Sequence, residues 1–164
     1  MPVLQARVAS SKESPSKESS SSPFALKTAL VVDDSITILH AVCSLLVHHQ
    51  IVDVVGRSES GSQAVDAVQL LRPDLLLMDA DMPGMSGLRA SLVISHLYPG
   101  VTIVLMSMDT DQRFVRACHD CGAHAVIYKP RFLKELAQIL RTGAGQMAPR
   151  TDLPRSGSKH LAPA

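Results

Sequence analysis

The chain contains no tryptophan, and aromatic residues make up only 3% of it. A surface that stacks nucleic-acid bases needs several exposed rings, so that class of function is disfavoured at the outset. Charge of either sign is balanced to a net +1. That excludes a strongly basic protein built to hold nucleic acid or an anionic membrane. Three cysteines are too few for a disulfide framework and fit a reducing, cytoplasmic setting. No apolar run approaches the length of a membrane span, and the first nine residues lack the apolar core of a signal peptide.

What is present suffices for one domain. The 164 residues are 46% hydrophobic and 19% charged, enough apolar content for a single core. The ends read differently from the middle. Residues 10–22, SSKESPSKESSSS, are eight-thirteenths serine and repeat SKES. Such a segment cannot bury enough area to offset its ordering entropy. Residues 1–27 are expected to be a disordered, serine-rich arm, and 142–164, rich in Gly, Pro and Ser, a second tail. The expected domain is 28–141. It holds nine of the sixteen Lys/Arg and twelve of the fifteen Asp/Glu, so it is mildly acidic and poorly suited to DNA.

Within that span, short apolar runs alternate with stretches of helical length. The runs are 29–34, 52–56, 74–79, 101–107 and 124–129, and the intervening segments are 35–49, 60–71, 87–97, 110–121 and 131–141. Ile38, Val42, Leu45 and Leu46 recur at helical spacing, as do Ala64, Ala67, Val68 and Leu71, and then Ala90, Val93, Ile94 and Leu97. Gly122 is placed to end the fourth helix. Unbroken apolar runs suggest strands covered on both faces. Five such βα units predict an α/β fold, a doubly wound parallel sheet with five helices.

Four of the five runs end in a chemically useful side chain: Asp33 and Asp34, Asp79, Ser107 and Lys129. Sites in open α/β sheets form at the carboxyl ends of the strands, so these groups should converge. Each alone has an ordinary explanation; Asp34, for example, could cap the first helix. As an ordered set they point to a site. Three gathered carboxylates would repel one another unless a cation joined them. Oxygen-only ligands in an incomplete cage suit Mg²⁺, which keeps waters and also meets phosphate.

The stretches VVDDS (31–35), PDLLLMDADMPGMSG (73–87), IVLMS (103–107) and YKP (128–130) resemble the receiver domain of bacterial two-component response regulators, of the single-domain type. The resemblance spans about 28–141, and D-x-x-M-P-G-M-x-G is its most specific part. It implies a flavodoxin-like sheet of strand order 2-1-3-4-5. It also implies that Asp79 accepts a phosphoryl group from a sensor histidine kinase or histidine phosphotransfer protein. Asp34 matches the direct Mg²⁺ ligand, Asp33 the acid that binds the metal mainly through water, and Asp81 the residue lending a backbone carbonyl. Ser107 matches the hydroxyl, and Lys129 the lysine, that take phosphoryl oxygens. Pro130 matches the following proline, often joined by a cis peptide.

Two positions depart from the family pattern. Val126 stands where receivers usually carry Tyr or Phe, three before the lysine, although Tyr128 lies on the same strand face. Met108 follows Ser107 where small residues are common, and could screen the site from water or small donors. Asp81 and Asp109 add negative charge along the family's water path.

The expected function is a phosphorylation-driven binding module or phosphate relay in two-component signalling, cytoplasmic, acting on an unidentified downstream protein. No DNA-binding output domain, direct nucleic-acid contact or membrane attachment is expected, and no turnover of a separate metabolite beyond self-catalysed phosphoryl transfer and hydrolysis. A homodimer through the fourth and fifth helices stays open. The alternatives are a degenerate receiver that binds without phosphorylation and, more remotely, a haloacid dehalogenase-like phosphatase reading of LLLMDADM. The lone C-x-x-C at Cys118–Cys121 lacks the second pair that zinc requires. Cys43 is expected in the core, and His40, His48 and His49 as ordinary helix residues.

Overall fold

The computed structural model describes residues 26–109 and 111–142. Of the expected tails at 1–27 and 142–164, residues 1–25 and 143–164 lie outside them. Strands β1 (Thr28–Val32), β2 (Asp53–Ser58), β3 (Leu75–Asp79), β4 (Thr102–Ser107) and β5 (Ala125–Tyr128) alternate with helices α1 (Ile36–His48), α2 (Gly61–Leu71), α3 (Gly87–Leu97), α4 (Gln112–Asp120) and α5 (Phe132–Thr142). All pairings are parallel, in the order β2-β1-β3-β4-β5. This is the doubly wound, flavodoxin-like order the resemblance implied.

Two apolar layers hold the sheet. On one face Leu39, Val42, Cys43 and Leu46 of α1 and Leu136 and Ile139 of α5 pack on Val31, Leu77 and Met106. On the other, Ala64 and Val68 of α2, Ala90 and Ile94 of α3 and Cys118 of α4 pack on Leu30, Leu76 and Leu105. The central strands are buried almost throughout, as unbroken apolar runs require. The edge strands β2 and β5 instead alternate in burial, because each lacks a neighbour on one side. β2 also continues to Ser58, two residues beyond the apolar run, since parallel pairing with β1 carries it through Arg57 and Ser58. Val93, Leu71 and Leu97, apolar at helical spacing, are partly exposed rather than core.

Helix starts are set by side chains. Ser35, Ser60, Ser86 and Asp111 each accept an amide of the first turn of α1, α2, α3 and α4. Ser35, and not Asp34, caps α1. Gly122 closes α4 with φ +86° and donates its amide to His119. At the amino ends of the strands, the Asp74 carboxylate accepts the Lys27 and Thr28 amides and the Thr28 hydroxyl, all near 3 Å. This clamp draws Lys27 into the fold and ties the start of β1 to β3; Leu26 packs on the core beside it. Together these devices present four strand ends at one rim of the sheet.

Candidate functional site

Asp33, Asp34, Asp79, Ser107 and Lys129 all lie at the carboxyl ends of their strands, as expected. β1 and β3 are neighbours at the point where strand order reverses, so their terminal acids meet. One carboxylate oxygen from each of Asp33, Asp34 and Asp79 falls within 4.8 Å of the others. Asp33 and Asp79 are buried, while Asp34 is exposed.

Both Asp33 oxygens are engaged. Oδ1 accepts the Ser35 amide at 2.9 Å, and Oδ2 meets Lys129 Nζ at 2.8 Å. The same ammonium lies 3.0 Å from Asp79 Oδ1. One lysine therefore bridges two buried carboxylates of neighbouring strands. Burial pushes the Asp79 carboxyl above its usual range, and Asp33 adds to the rise, against the lowering by Lys129 and the Asp81 amide. Burial alone would lower Lys129, but hydrogen bonds to Asp33 and Asp79 prevail and raise it. A carboxylate whose charged form is disfavoured is a stronger base and nucleophile, while the lysine stays an ammonium.

Three carboxylates facing one ammonium leave negative charge in excess. All the available donors are oxygens, and no Cys or His belongs to the cluster. That donor set fits a hard divalent cation of the Mg²⁺ kind. Asp81 presents an exposed side chain just past the acceptor.

Ser107 is fully buried at the end of β4. Its oxygen accepts the Asp109 amide at 2.9 Å, which leaves its O–H free to donate elsewhere. Met108, the next residue, is 65% exposed at the rim. Val126 is half-buried against the α2–α3–α4 layer, so no ring occupies the expected switch position. Tyr128 is half-buried, with the Arg131 guanidinium 5.9 Å from its ring. The Lys129–Pro130 peptide is trans, against the cis expectation. In that form Lys129–Arg131 runs as a 3-10 turn with the proline in its first turn, leading directly into α5.

The weaker motifs form no site. Burial, with Cys121, Asp81 and Asp109 nearby, pushes the Cys118 thiol up to about 12, far from the thiolate that zinc needs. Cys43 is buried in the core, and His40, His48 and His49 are exposed. Among the described residues the acidic trio is the one group of three metal-ligating side chains brought together. No described helix is long and apolar enough to cross a membrane.

Sequence alone did not show the Asp74 clamp at the opposite, amino ends of the strands, nor the β2–α2 turn whose Ser58 carbonyl accepts the Asp33 amide. A proline-aspartate pair before an apolar run was the available signal for Asp74. Nothing marked the turn, whose contact with Asp33 is made by backbone.

Comparison with known proteins agrees with this fold. The family model of the response regulator receiver domain matches residues 29–141. A protein-glutamate methylesterase/protein-glutamine glutaminase from Alkalilimnicola ehrlichii is 35% identical over 77% of this chain and 35% of its own length. The response regulator GacA of Pseudomonas viridiflava is 30% identical over 68% of this chain and 52% of its own length. The chain thus spans between a third and about half of these curated relatives. Among solved structures, the receiver domain of NarL from Mycobacterium tuberculosis aligns at TM-score 0.63 and 22% identity, over 71% of this chain and 97% of that one. The response regulator domain of Thermotoga maritima CheB aligns at TM-score 0.63 and 22% identity, over 71% and 98%. At those identities the structural likeness speaks for the fold.

Proposed function

The chain belongs to the response regulator receiver domain family, and from that premise we propose that it accepts a phosphoryl group on Asp79 from a histidine kinase or histidine phosphotransfer protein. The observation that carries this reading is the lysine bridge: Lys129 Nζ sits 2.8 Å from Asp33 and 3.0 Å from Asp79 in a buried acidic cluster. A structural ion pair needs one acid. A second buried acid on the same ammonium, with a third beside it, is a site for handling added charge.

The transfer follows from these positions. An Asp79 carboxylate oxygen attacks phosphorus in line; the P–O bond forms as the P–N bond of the donor phosphohistidine breaks, and the imidazole nitrogen leaves with its electron pair and takes a proton. Lys129 neutralises charge on the transferred group, and the free O–H of Ser107 donates to one of its oxygens. Asp33 and Asp34, with Asp79 and the Asp81 carbonyl, would hold Mg²⁺, which when bound supplies charge neutralisation to the phosphoryl oxygens. The product is an acyl phosphate, which water cleaves to inorganic phosphate, so the signal is erasable. The downstream partner is a protein whose identity the site does not encode.

The test is intact-mass spectrometry after incubation with Mg²⁺ and a phosphorylated histidine phosphotransfer domain, wild type beside Asp79→Asn, with acetyl phosphate as a second donor. One added phosphoryl group, dependent on Mg²⁺ and absent from the variant, supports the assignment. Equal incorporation in the variant refutes Asp79 as acceptor. No incorporation from any donor favours a receiver that binds partners without phosphorylation.

A further inference from the structure

β2 is a strand that contributes none of the three acids of the cluster and no lysine to it, yet its exit turn touches both walls of the site. The Ser58 carbonyl accepts the Asp33 amide at 3.2 Å, and Ser58 itself is buried. Three residues on, Gly61 opens α2 and lies against the loop that follows the acceptor, 80–86. A Cβ at Gly61 would stand 2.4 Å from the Met85 carbonyl oxygen, 3.0 Å from Met85 Cγ and 3.2 Å from Ala90 Cβ. Two of these are within the loop's own last residues, and the nearest is backbone, which cannot swing aside.

Gly61 does not need glycine for its conformation. The positive-φ glycines are Gly84 and Gly122. In a helix, glycine costs up to about 1 kcal/mol relative to alanine. What the position needs is the space. The opposite side of the loop is closed in the same manner: a Cβ at Gly87 would stand 2.0 Å from the Asp79 carbonyl oxygen and 2.9 Å from Ala80 Cα. The loop carrying Asp81 is therefore held between the first residues of two helices.

We propose that Gly61 is a positioning residue for the cation and phosphoryl site. The Ser58–Gly61 turn acts as a spacer: Ser58 fixes the backbone of the acidic pair, Gly61 seats the acceptor loop, and the two residues between them, Glu59 and Ser60, set the gap across which a cation must be held. This rests on the function proposed above. Lost space at Gly61 would push the Met85 end of the loop outward and carry the Asp81 carbonyl with it, while leaving every ligating side chain in place.

The test uses the full chain and two readouts, Mg²⁺ affinity by isothermal titration and initial phosphorylation rate with phosphoramidate at saturating Mg²⁺. For Gly61→Ala, Mg²⁺ affinity is expected to fall about tenfold, the scale seen when groups that orient ligands are disturbed. The rate is expected to fall by about tenfold or more, as ångström-scale misplacement of reacting groups does. Val68→Ala, a core truncation on the same helix, is the control: it lowers the melting temperature but leaves Mg²⁺ affinity unchanged. Met85→Ala removes the side chain that Gly61 accommodates and introduces no clash, so it decides the matter if Gly61→Ala does not fold, and is expected to weaken Mg²⁺ too. Wild-type Mg²⁺ affinity in Gly61→Ala, or in Met85→Ala where the first variant is unfolded, overturns the proposal. An equal loss in Val68→Ala overturns it as well, since the effect would then report stability alone. A wild type that neither binds Mg²⁺ nor accepts phosphate would instead sink the function on which it rests.

Discussion

Replacing Lys129 with methionine is the sharpest probe of the site's electrostatics. The Lys129 side chain is 15% exposed, and its ammonium holds Asp33, whose side chain is fully buried, and Asp79, whose side chain is 8% exposed. Methionine keeps most of the stem's packing but leaves two buried carboxylates facing each other. Breaking a buried ion pair from one side costs about 3–5 kcal/mol. The lower end applies, because Asp79 has an escape: with the ammonium gone, burial and Asp33 push its carboxyl still higher, and it can take up a proton. At about 4 °C per kcal/mol for a domain of this size, the expected fall in Tm is about 12 °C in metal-free buffer at neutral pH.

Two dependences separate this account from a loss of packing. An acid whose folded pKa is raised favours the fold below its unfolded pKa, and that stability is lost as pH rises through the folded value. The deficit of Lys129→Met should therefore shrink as pH falls toward the ordinary carboxylate range and be complete well above it. Mg²⁺ should also narrow the deficit, because without the competing ammonium the carboxylates bind the cation more tightly than in wild type, and each hundredfold gain in affinity at saturation adds about 2.7 kcal/mol. The assay is thermal unfolding followed by circular dichroism, in EDTA and in Mg²⁺, across pH. A Tm within about 2 °C of wild type in EDTA, or a deficit that neither acid nor Mg²⁺ diminishes, would refute the reasoning.

Asp79→Asn keeps the shape and an acceptor for Lys129 while removing a charge that burial disfavours; its Tm in EDTA at neutral pH is expected at or above wild type, with the Mg²⁺-induced rise abolished. Ser91 is fully buried on α3 and its hydroxyl has no partner among the described residues, so Ser91→Ala should gain about 1 kcal/mol in urea unfolding; a loss would reveal a partner. Backbone and hydroxyl donors from Lys27 and Thr28 outweigh burial and lower the Asp74 carboxyl. Its contribution is present above the unfolded value and lost as pH falls through the lowered one, so Asp74→Asn should flatten the acid limb of the urea midpoint below about pH 4. Met108→Ala should speed phosphorylation by acetyl phosphate severalfold yet leave transfer from a phosphotransfer domain unchanged, if the exposed methionine screens small donors; equal rates with acetyl phosphate would dismiss the screen.

The site was legible to the extent that chemistry sits in side chains at strand ends. Asp33, Asp79, Ser107 and Lys129 each end an apolar run, and parallel topology brings such ends to one rim, so linear order sufficed. The strands were legible through unbroken apolarity, but that signal fails at an edge. β2 alternates in burial and runs on through Arg57 and Ser58 because pairing with β1, which no local pattern records, carries it there. Asp34 and Ser35 are both good helix caps by type. Only the observed backbone shows that Asp33 takes the Ser35 amide while Ser35 takes that of Ile38. Gly61 was illegible because its value is the absence of a Cβ against Met85, a contact between two different βα units.

The missing aromatic at Val126 bears on how a change at the site could travel. Ser107 Oγ accepts the Asp109 amide at 2.9 Å, Asp109 Oδ1 accepts the Asp111 amide at 2.8 Å, and Asp111 Oδ1 accepts the Arg113 amide at 2.7 Å. Three successive side-chain-to-backbone bonds thus lead from the buried hydroxyl to the first turn of α4. Each is short, and Asp109 and Asp111 are each held through their own amide by the bond before, so a displacement of Ser107 would be passed to the α4 amino end along these three bonds. α4 is the least anchored helix of the five, with Cys118 its single buried residue, so a small pull at its cap meets little resistance from packing. Val126 lies on β5, off this route, and a valine there removes a ring without cutting the path from Ser107 to α4.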